Sequence, residues 1–254
     1  VEIIQTGSGE TIIFVHGLVG NRNAFKREYQ YFCSDYQVVG YDLLGHGSDR
    51  GKEISFSLEN LLAQLHDVYR QAGVEKAHLC TLSYGCYIAN LFAAEYPEKV
   101  LSLCHIGGHY NNPSQLFDVF QSYWERIDDE YLLWLHQYSD AINPSVKGAF
   151  NPFALLSNAV YYKLGRQLYP TVLKDALGHR VLFDMKTCLA TLKQPMLWVM
   201  GGYDHLYKTC LYDLDKIVPH VQYKELPLAG HAANIFRPGY FQKQYAEFLR
   251  MLKS

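Results

Sequence analysis

A serine hydroxyl attacks a carbonyl at neutral pH only if a neighbouring base takes its proton, and that base needs an acceptor to fix its tautomer. Three stretches of this chain supply those residue types in the order Ser, Asp, His. The first is Cys80-Thr81-Leu82-Ser83-Tyr84-Gly85, where an apolar run ends and helical spacing begins. Ser83 in such a sharp turn projects its hydroxyl outward. The turn strains the serine's own backbone and asks for small neighbours: Gly85 meets that need, whereas Thr81 brings a β-branched side chain. A helix opening at Tyr84 aims its N-terminal dipole and free N–H groups at negative charge beside Ser83. Alone, S-x-G reads first as a helix cap, because serine is a favoured N-cap residue.

Other stretches change that balance. Gly201-Gly202-Tyr203-Asp204 follows the apolar run PMLWVM, and Pro227-Leu228-Ala229-Gly230-His231 follows VQYKEL. His231 fits the base and Asp204 its acceptor. His16-Gly17-Leu18-Val19-Gly20 follows TIIFV, and its glycines let the backbone approach a ligand and present an N–H. The backbone N–H groups of Leu18 and Tyr84 are the candidate oxyanion donors; losing one such donor costs other enzymes about 3 kcal/mol in the barrier. Each stretch has a plain explanation by itself, as a turn acid, a surface histidine or an ordinary strand-to-loop turn. Four loops in the right order at one crevice are far less expected by chance.

The positioning elements follow from periodicity. Residues 11 to 107 alternate short apolar runs with helical spacing, the pattern of βαβ units around a parallel sheet. Strands are predicted at Thr11–Val15, Gln37–Asp42, Ala77–Leu82 and Val100–Ile106, and helices at Leu58–Ala72 and Tyr84–Tyr96, the second stopped by Pro97. From Tyr110 to Gln194 amphipathic segments occur without a convincing strand, which predicts an inserted helical cap. The α/β rhythm resumes with strands at Pro195–Met200 and Val221–Leu226 and helices near Thr209–Val218 and Phe241–Leu252. Residues 1–109 and 195–254 are thus assigned to an α/β core and 110–194 to the cap. Loops at the carboxyl ends of such strands face one crevice, where ligands bind.

Composition narrows the partners. The 254 residues are 49% hydrophobic and 15% aromatic, enough for a sizeable core. With 23 Lys and Arg against 25 Asp and Glu, and no block of like charge, nucleic acid is disfavoured. No apolar stretch approaches the roughly 20 residues of a membrane span. The N-terminus lacks the basic region and apolar run of a secretory signal. The six cysteines are scattered without a C-x-x-C pair, so reduced buried thiols and a cytoplasmic location are expected. His105 and His109 are spaced i, i+4 but separated by Gly107 and Gly108 at a strand end, so no metal site is expected. LLGHGSDRG lacks both the P-loop lysine and the dinucleotide fingerprint. No cofactor is expected. His16 and His46 are assigned structural roles, and His205 a weaker one lining the crevice.

Taken together, HGLVG, YDLLGHGSD, TLSYG, GGYD and AGH resemble the α/β-hydrolase superfamily, most closely its capped carboxylesterase and lipase-like branch. The resemblance covers nearly the whole chain except the cap. It implies a mostly parallel sheet of eight strands or slightly fewer, flanked by helices under a helical lid. Three departures stand out: Thr81 replaces the usual glycine, GHGSD is one residue shorter than the common form, and little chain precedes the first strands, as if the first antiparallel strand were missing. Relatives that open epoxides or displace halides carry aspartate where this chain has Ser83, and the elbow lacks the G-G-S-W-G of proline iminopeptidases.

The implied reaction is hydrolysis of a small to medium, largely apolar carboxylic ester through an acyl-enzyme on Ser83. The cap residues Phe117, Phe120, Tyr123, Trp124, Tyr131, Trp134, Tyr138, Phe150, Phe153, Tyr161 and Tyr162 suggest an apolar tunnel over the crevice, most of them packing and a minority touching substrate. Thioesterase, lactonase or C–C bond hydrolase activity by the same triad remains open, as does a ligand receptor that does not turn over. Substrate identity and oligomeric state depend on more than these motifs.

Overall fold

The computed structural model describes residues 1–111, 130–142 and 154–253. Seven strands form one sheet: β1 (Ile3–Thr6), β2 (Thr11–Val15), β3 (Gln37–Tyr41), β4 (Ala77–Leu82), β5 (Val100–Ile106), β6 (Met196–Gly201) and β7 (Val221–Leu226). Their order is β1-β3-β2-β4-β5-β6-β7, and every pairing is parallel except β1 with β3. The antiparallel edge strand β1 lies in a stretch that the hydrophobic pattern leaves blank, because its four residues are only partly covered. Central strands read as continuous apolar runs because both their faces are covered.

The described α-helices are α1 (Lys26–Phe32), α2 (Leu58–Ala72), α3 (Gly85–Glu95), α4 (Tyr131–Ile142), α5 (Ala154–Gly165), α6 (Pro170–Leu182), α7 (Met185–Thr191), α8 (His205–Lys208), α9 (Leu214–Ile217), α10 (Ala233–Phe236) and α11 (Pro238–Met251). Alternate residues of each strand feed two cores. Ile13, Val15, Leu79 and Met196 meet α2 and α3 on one face, while Ile12, Phe14, Cys80 and Leu197 meet α1 and α11 on the other. Each fully buried aliphatic side chain contributes about 1.5–3 kcal/mol, so this two-sided burial is what fixes the strand ends rigidly.

Between β5 and β6 the described residues form helices joined by turns and contain no strand. Trp134, Leu135, Val172, Leu173, Leu177 and Leu189 from these helices join the same cluster as Ile13 and Leu79, so the inserted helices share a core with the sheet. Of the aromatic residues read as cap, Phe117, Phe120, Tyr123, Trp124, Phe150 and Phe153, and the Tyr138 side chain, lie outside the described residues. The helix expected near Thr209–Val218 is instead a 3-10 turn at Thr209–Leu211 followed by α9. Asp213 interrupts it (φ −127), its carboxylate taken by the Tyr110 hydroxyl at 2.7 Å and by Lys186. Helix α11 starts three residues earlier than expected, since Pro238 is suited to a first helical turn. Among the described residues no helix is long and apolar enough to cross a membrane.

Candidate active site

Ser83 follows β4 in a left-handed backbone conformation (φ 50), one that favours glycine and costs a serine about 1–3 kcal/mol. Close packing enforces the turn. A Cβ on Gly85 would lie 2.6 Å from the Val15 carbonyl oxygen, so α3 can abut β2 only with glycine there. Thr81 is tolerated because its side chain is buried and engaged: its hydroxyl donates to His105 Nδ1 at 2.8 Å, and His105 Nε2–H donates to Asn90 Oδ1 at 2.9 Å. Burial pushes His105 down to about 3, so the imidazole is neutral, and both of its nitrogens serve the core.

Asp204 follows β6 and His231 follows β7, and the loops bring both to Ser83. The Ser83 hydroxyl donates to His231 Nε2 at 2.8 Å, and His231 Nδ1–H donates to Asp204 Oδ2 at 2.7 Å. Asp204 is 4% exposed, and its other carboxylate oxygen accepts the Tyr207 N–H at 3.3 Å. The His231 side chain is 22% exposed, leaving its ring reachable from the crevice. Gly107 (φ 58) makes room for that ring, because a Cβ there would lie 3.1 Å from His231 Nδ1. All three residues expected to form the relay therefore meet in one hydrogen-bonded chain.

The loop after β2 passes against the nucleophile turn: a Cβ on Gly17 would sit 3.0 Å from Ser83 Cβ. Leu18 and Tyr84 line the same cavity as Ser83 and His231. Among the described residues neither gives its backbone N–H to a protein acceptor. Residues 42–50 cradle this loop. His16 Nε2 accepts the Leu43 N–H at 3.0 Å, His46 Nε2 accepts the Val19 N–H at 3.2 Å, and Asp42 accepts the Arg22 N–H at 2.7 Å. Burial pushes His16 down to about 4 and His46 well below the usual range, so both rings are neutral scaffolding. His205 is exposed and does not line the cavity, a correction to its expected place; as the first residue of α8 it turns outward while Asp204 turns in.

The cavity over Ser83 has a volume of about 360 Å³. Leu156, Val160 and Leu164 of α5 and Ile235 and Phe236 of α10 give it an apolar wall. The wall by His231 is different. The Tyr207 ring lies 4.6 Å from those of His231 and His109, and the Arg180 guanidinium sits 5.5 Å over the Tyr207 ring. Sequence reasoning did not single out Arg180 or Tyr207: Arg180 lies on a helix with no motif around it, and Tyr207, though three residues past Asp204, is a tyrosine whose type and spacing mark no role.

The sequence model of a family described as alpha/beta hydrolase fold matches residues 10–238. A Bacillus subtilis (strain 168) protein with the provisional name 2-succinyl-6-hydroxy-2,4-cyclohexadiene-1-carboxylate synthase is 23% identical over 265 residues, spanning 95% of this chain and 91% of its own length. Monoacylglycerol lipase abhd6-A of Xenopus laevis is 21% identical over 275 residues, spanning 98% of this chain and 78% of its own. The solved structure of a thermophilic esterase from Thermogutta terrifontis matches with a TM-score of 0.81 at 21% identity, covering 100% of this chain and 94% of that one.

Proposed function

The chain belongs to the alpha/beta hydrolase fold family, and from that premise we propose that it is a serine hydrolase cleaving carboxylic esters through an acyl-enzyme on Ser83. The observation that carries the reading is the unbroken relay from the Ser83 hydroxyl through His231 to Asp204, with both links under 3 Å. His231 Nε2 takes the hydroxyl proton as Oγ bonds to the ester carbon. The Leu18 and Tyr84 N–H groups hold the resulting oxyanion. Collapse breaks the carbon–oxygen bond to the alcohol, which leaves with the proton from Nε2. Water then gives a proton to the same nitrogen as its oxygen bonds to the acyl carbon, and collapse breaks the bond to Oγ, which takes the proton back from Nε2 as the carboxylic acid leaves. Asp204 holds the imidazole in the tautomer that can accept and stabilises its charged form.

A cavity of about 360 Å³ with a wall of Leu156, Val160 and Phe236 supports a small to medium substrate whose bulk is apolar. Residues 110–194 are in this reading the cap, and α5 within it supplies part of that wall. Five buried free thiols, with Cys33 half-buried, support a reducing, cytoplasmic setting. A second reading, in which the same relay breaks a C–C bond, is kept by the likeness to the 2-hydroxy-6-oxononadienedioate/2-hydroxy-6-oxononatrienedioate hydrolase of Paraburkholderia phymatum, 34% identical over 44% of this chain.

Hydrolysis of p-nitrophenyl esters of graded chain length by wild type and Ser83→Ala tests the proposal. The expected result is measurable turnover of short and medium esters that falls by several orders of magnitude in the variant, as loss of triad serines does elsewhere. Equal turnover by the two proteins would overturn it.

A further inference from the structure

Arg50 joins the loop that carries Leu18 to the helix that walls the cavity. It closes the LLGHGSDR stretch after β3, and one of its terminal nitrogens, Nη2, donates to the carbonyls of both Val19 and Gly20, each at 2.7 Å. The other, Nη1, donates to the Leu164 carbonyl at 2.7 Å. Two of these acceptors, Val19 and Leu164, stand where such a bond matters. Val19 immediately follows Leu18 and is held left-handed (φ 56), a conformation a β-branched residue keeps only where its surroundings impose it. Its N–H is fixed by His46 and its carbonyl by Arg50, so the two flanks of this strained residue are anchored from one loop. Leu164 sits in the last turn of α5, where a cation is favoured, and its carbonyl accepts from Arg50 in addition to the Gln167 N–H at 3.2 Å. On that helix Leu156, Val160, Tyr161 and Leu164 face the cavity.

We propose that Arg50 is a positioning residue that sets the Leu18 donor and seats α5 over the cavity at the same time. Closure of the apolar wall and stabilisation of the oxyanion are then coupled through one guanidinium. The planar fork is essential, because an ammonium is a point donor that cannot reproduce three divergent bonds. The inference rests on the esterase reading for its kinetic consequence, while its structural consequence stands apart from any activity.

Two measurements on Arg50→Ala and Arg50→Lys test it. The first is kcat and KM for p-nitrophenyl acetate and octanoate, normalised to serine titrated with a fluorophosphonate. For the acetate, kcat is expected to fall about tenfold or more with KM unchanged, as a displaced donor loses transition-state contacts. For the octanoate KM also rises, because the longer chain meets the unseated helix. Lysine, which keeps the charge, is expected to restore less than half of the lost kcat. The second is amide hydrogen exchange, in which segments 17–20 and 154–165 are expected to lose protection together. Wild-type kcat per titrated serine in the alanine variant, full recovery by lysine, or deprotection confined to one segment would overturn the coupling. Ester turnover that survives Ser83→Ala would instead sink the esterase reading and leave the exchange result to judge Arg50.

Discussion

Thr81 shows how a single departure from a family pattern can be absorbed. The position beside a strained serine favours glycine, yet here a threonine is buried with its hydroxyl bonded to His105, which is bonded in turn to Asn90. The three side chains form a closed polar unit inside an apolar core, the arrangement in which a half-satisfied member is costly. Thr81→Val preserves shape and removes the hydroxyl, leaving His105 Nδ1 buried without its partner. The expected loss of stability is about 1–3 kcal/mol. Denaturant unfolding checks it, alongside turnover per folded molecule, which is expected to stay at the wild-type level. A fall in turnover without a fall in stability would mean that Thr81 touches the reaction. The motif residues Ser83, Asp204 and His231 were legible because each has a type demanded by chemistry and follows a stretch that reads as a strand. His105 and Asn90 carry no such signal, since a histidine in a strand and an asparagine in a helix look alike whether they are paired or exposed.

At the scale of elements, the turn between β4 and α3 depends on backbone meeting backbone. Ser83 is strained because α3 begins two residues later, at Gly85, and packs directly on the end of β2, where the Val15 and His16 carbonyls crowd Gly85. Gly85→Ala places a methyl group against fixed carbonyl oxygens that no rotamer change can move. Overpacking of this kind costs about 1–3 kcal/mol, and each kcal/mol lowers Tm by about 2–4 °C in a chain of this size. A scan of Tm with the ester assay is expected to show both a lower midpoint and lost turnover; an alanine variant as stable and active as wild type would contradict the tight junction. Strands β2, β4 and β5 fall where apolar periodicity puts them, because two-sided burial writes an apolar run; β7 also falls where expected, although it is an edge strand with three exposed residues. Strand β1 and the broken helix after β6 escape that signal. The first is partly exposed at an edge, and the second is cut by Asp213, whose partners Tyr110 and Lys186 are remote in sequence.

For the whole molecule, buried imidazoles set the response to acid. Desolvation pushes His16 to about 4 and His105 to about 3, so each is neutral when folded and binds a proton more readily when unfolded. Their contribution is complete above the ordinary histidine value near 6.5 and is lost as pH falls toward those lowered values, at about 1.4 kcal/mol per pH unit for each. Glu28 acts in the opposite sense. Burial raises it to about 7, so the folded state holds its proton and its contribution is present below about 4.5 and lost as pH rises through 7. Between pH 6.5 and 4.5 the two histidines outweigh the one carboxyl, and stability is expected to fall on acidification. Tm measured across that range checks the sign; a midpoint that rises as pH drops would contradict it.

The central claim is that Ser83 is activated by its contact with His231, and covalent labelling reads that activation most directly. A fluorophosphonate reacts with a serine whose proton is being removed and ignores the many serines that are merely exposed. Peptide mapping after labelling is expected to place one adduct on the peptide containing Ser83 in the wild-type protein, with none in Ser83→Ala and a much slower reaction in His231→Ala. An adduct that persists in Ser83→Ala, or a wild-type protein that takes up no label, would contradict the account.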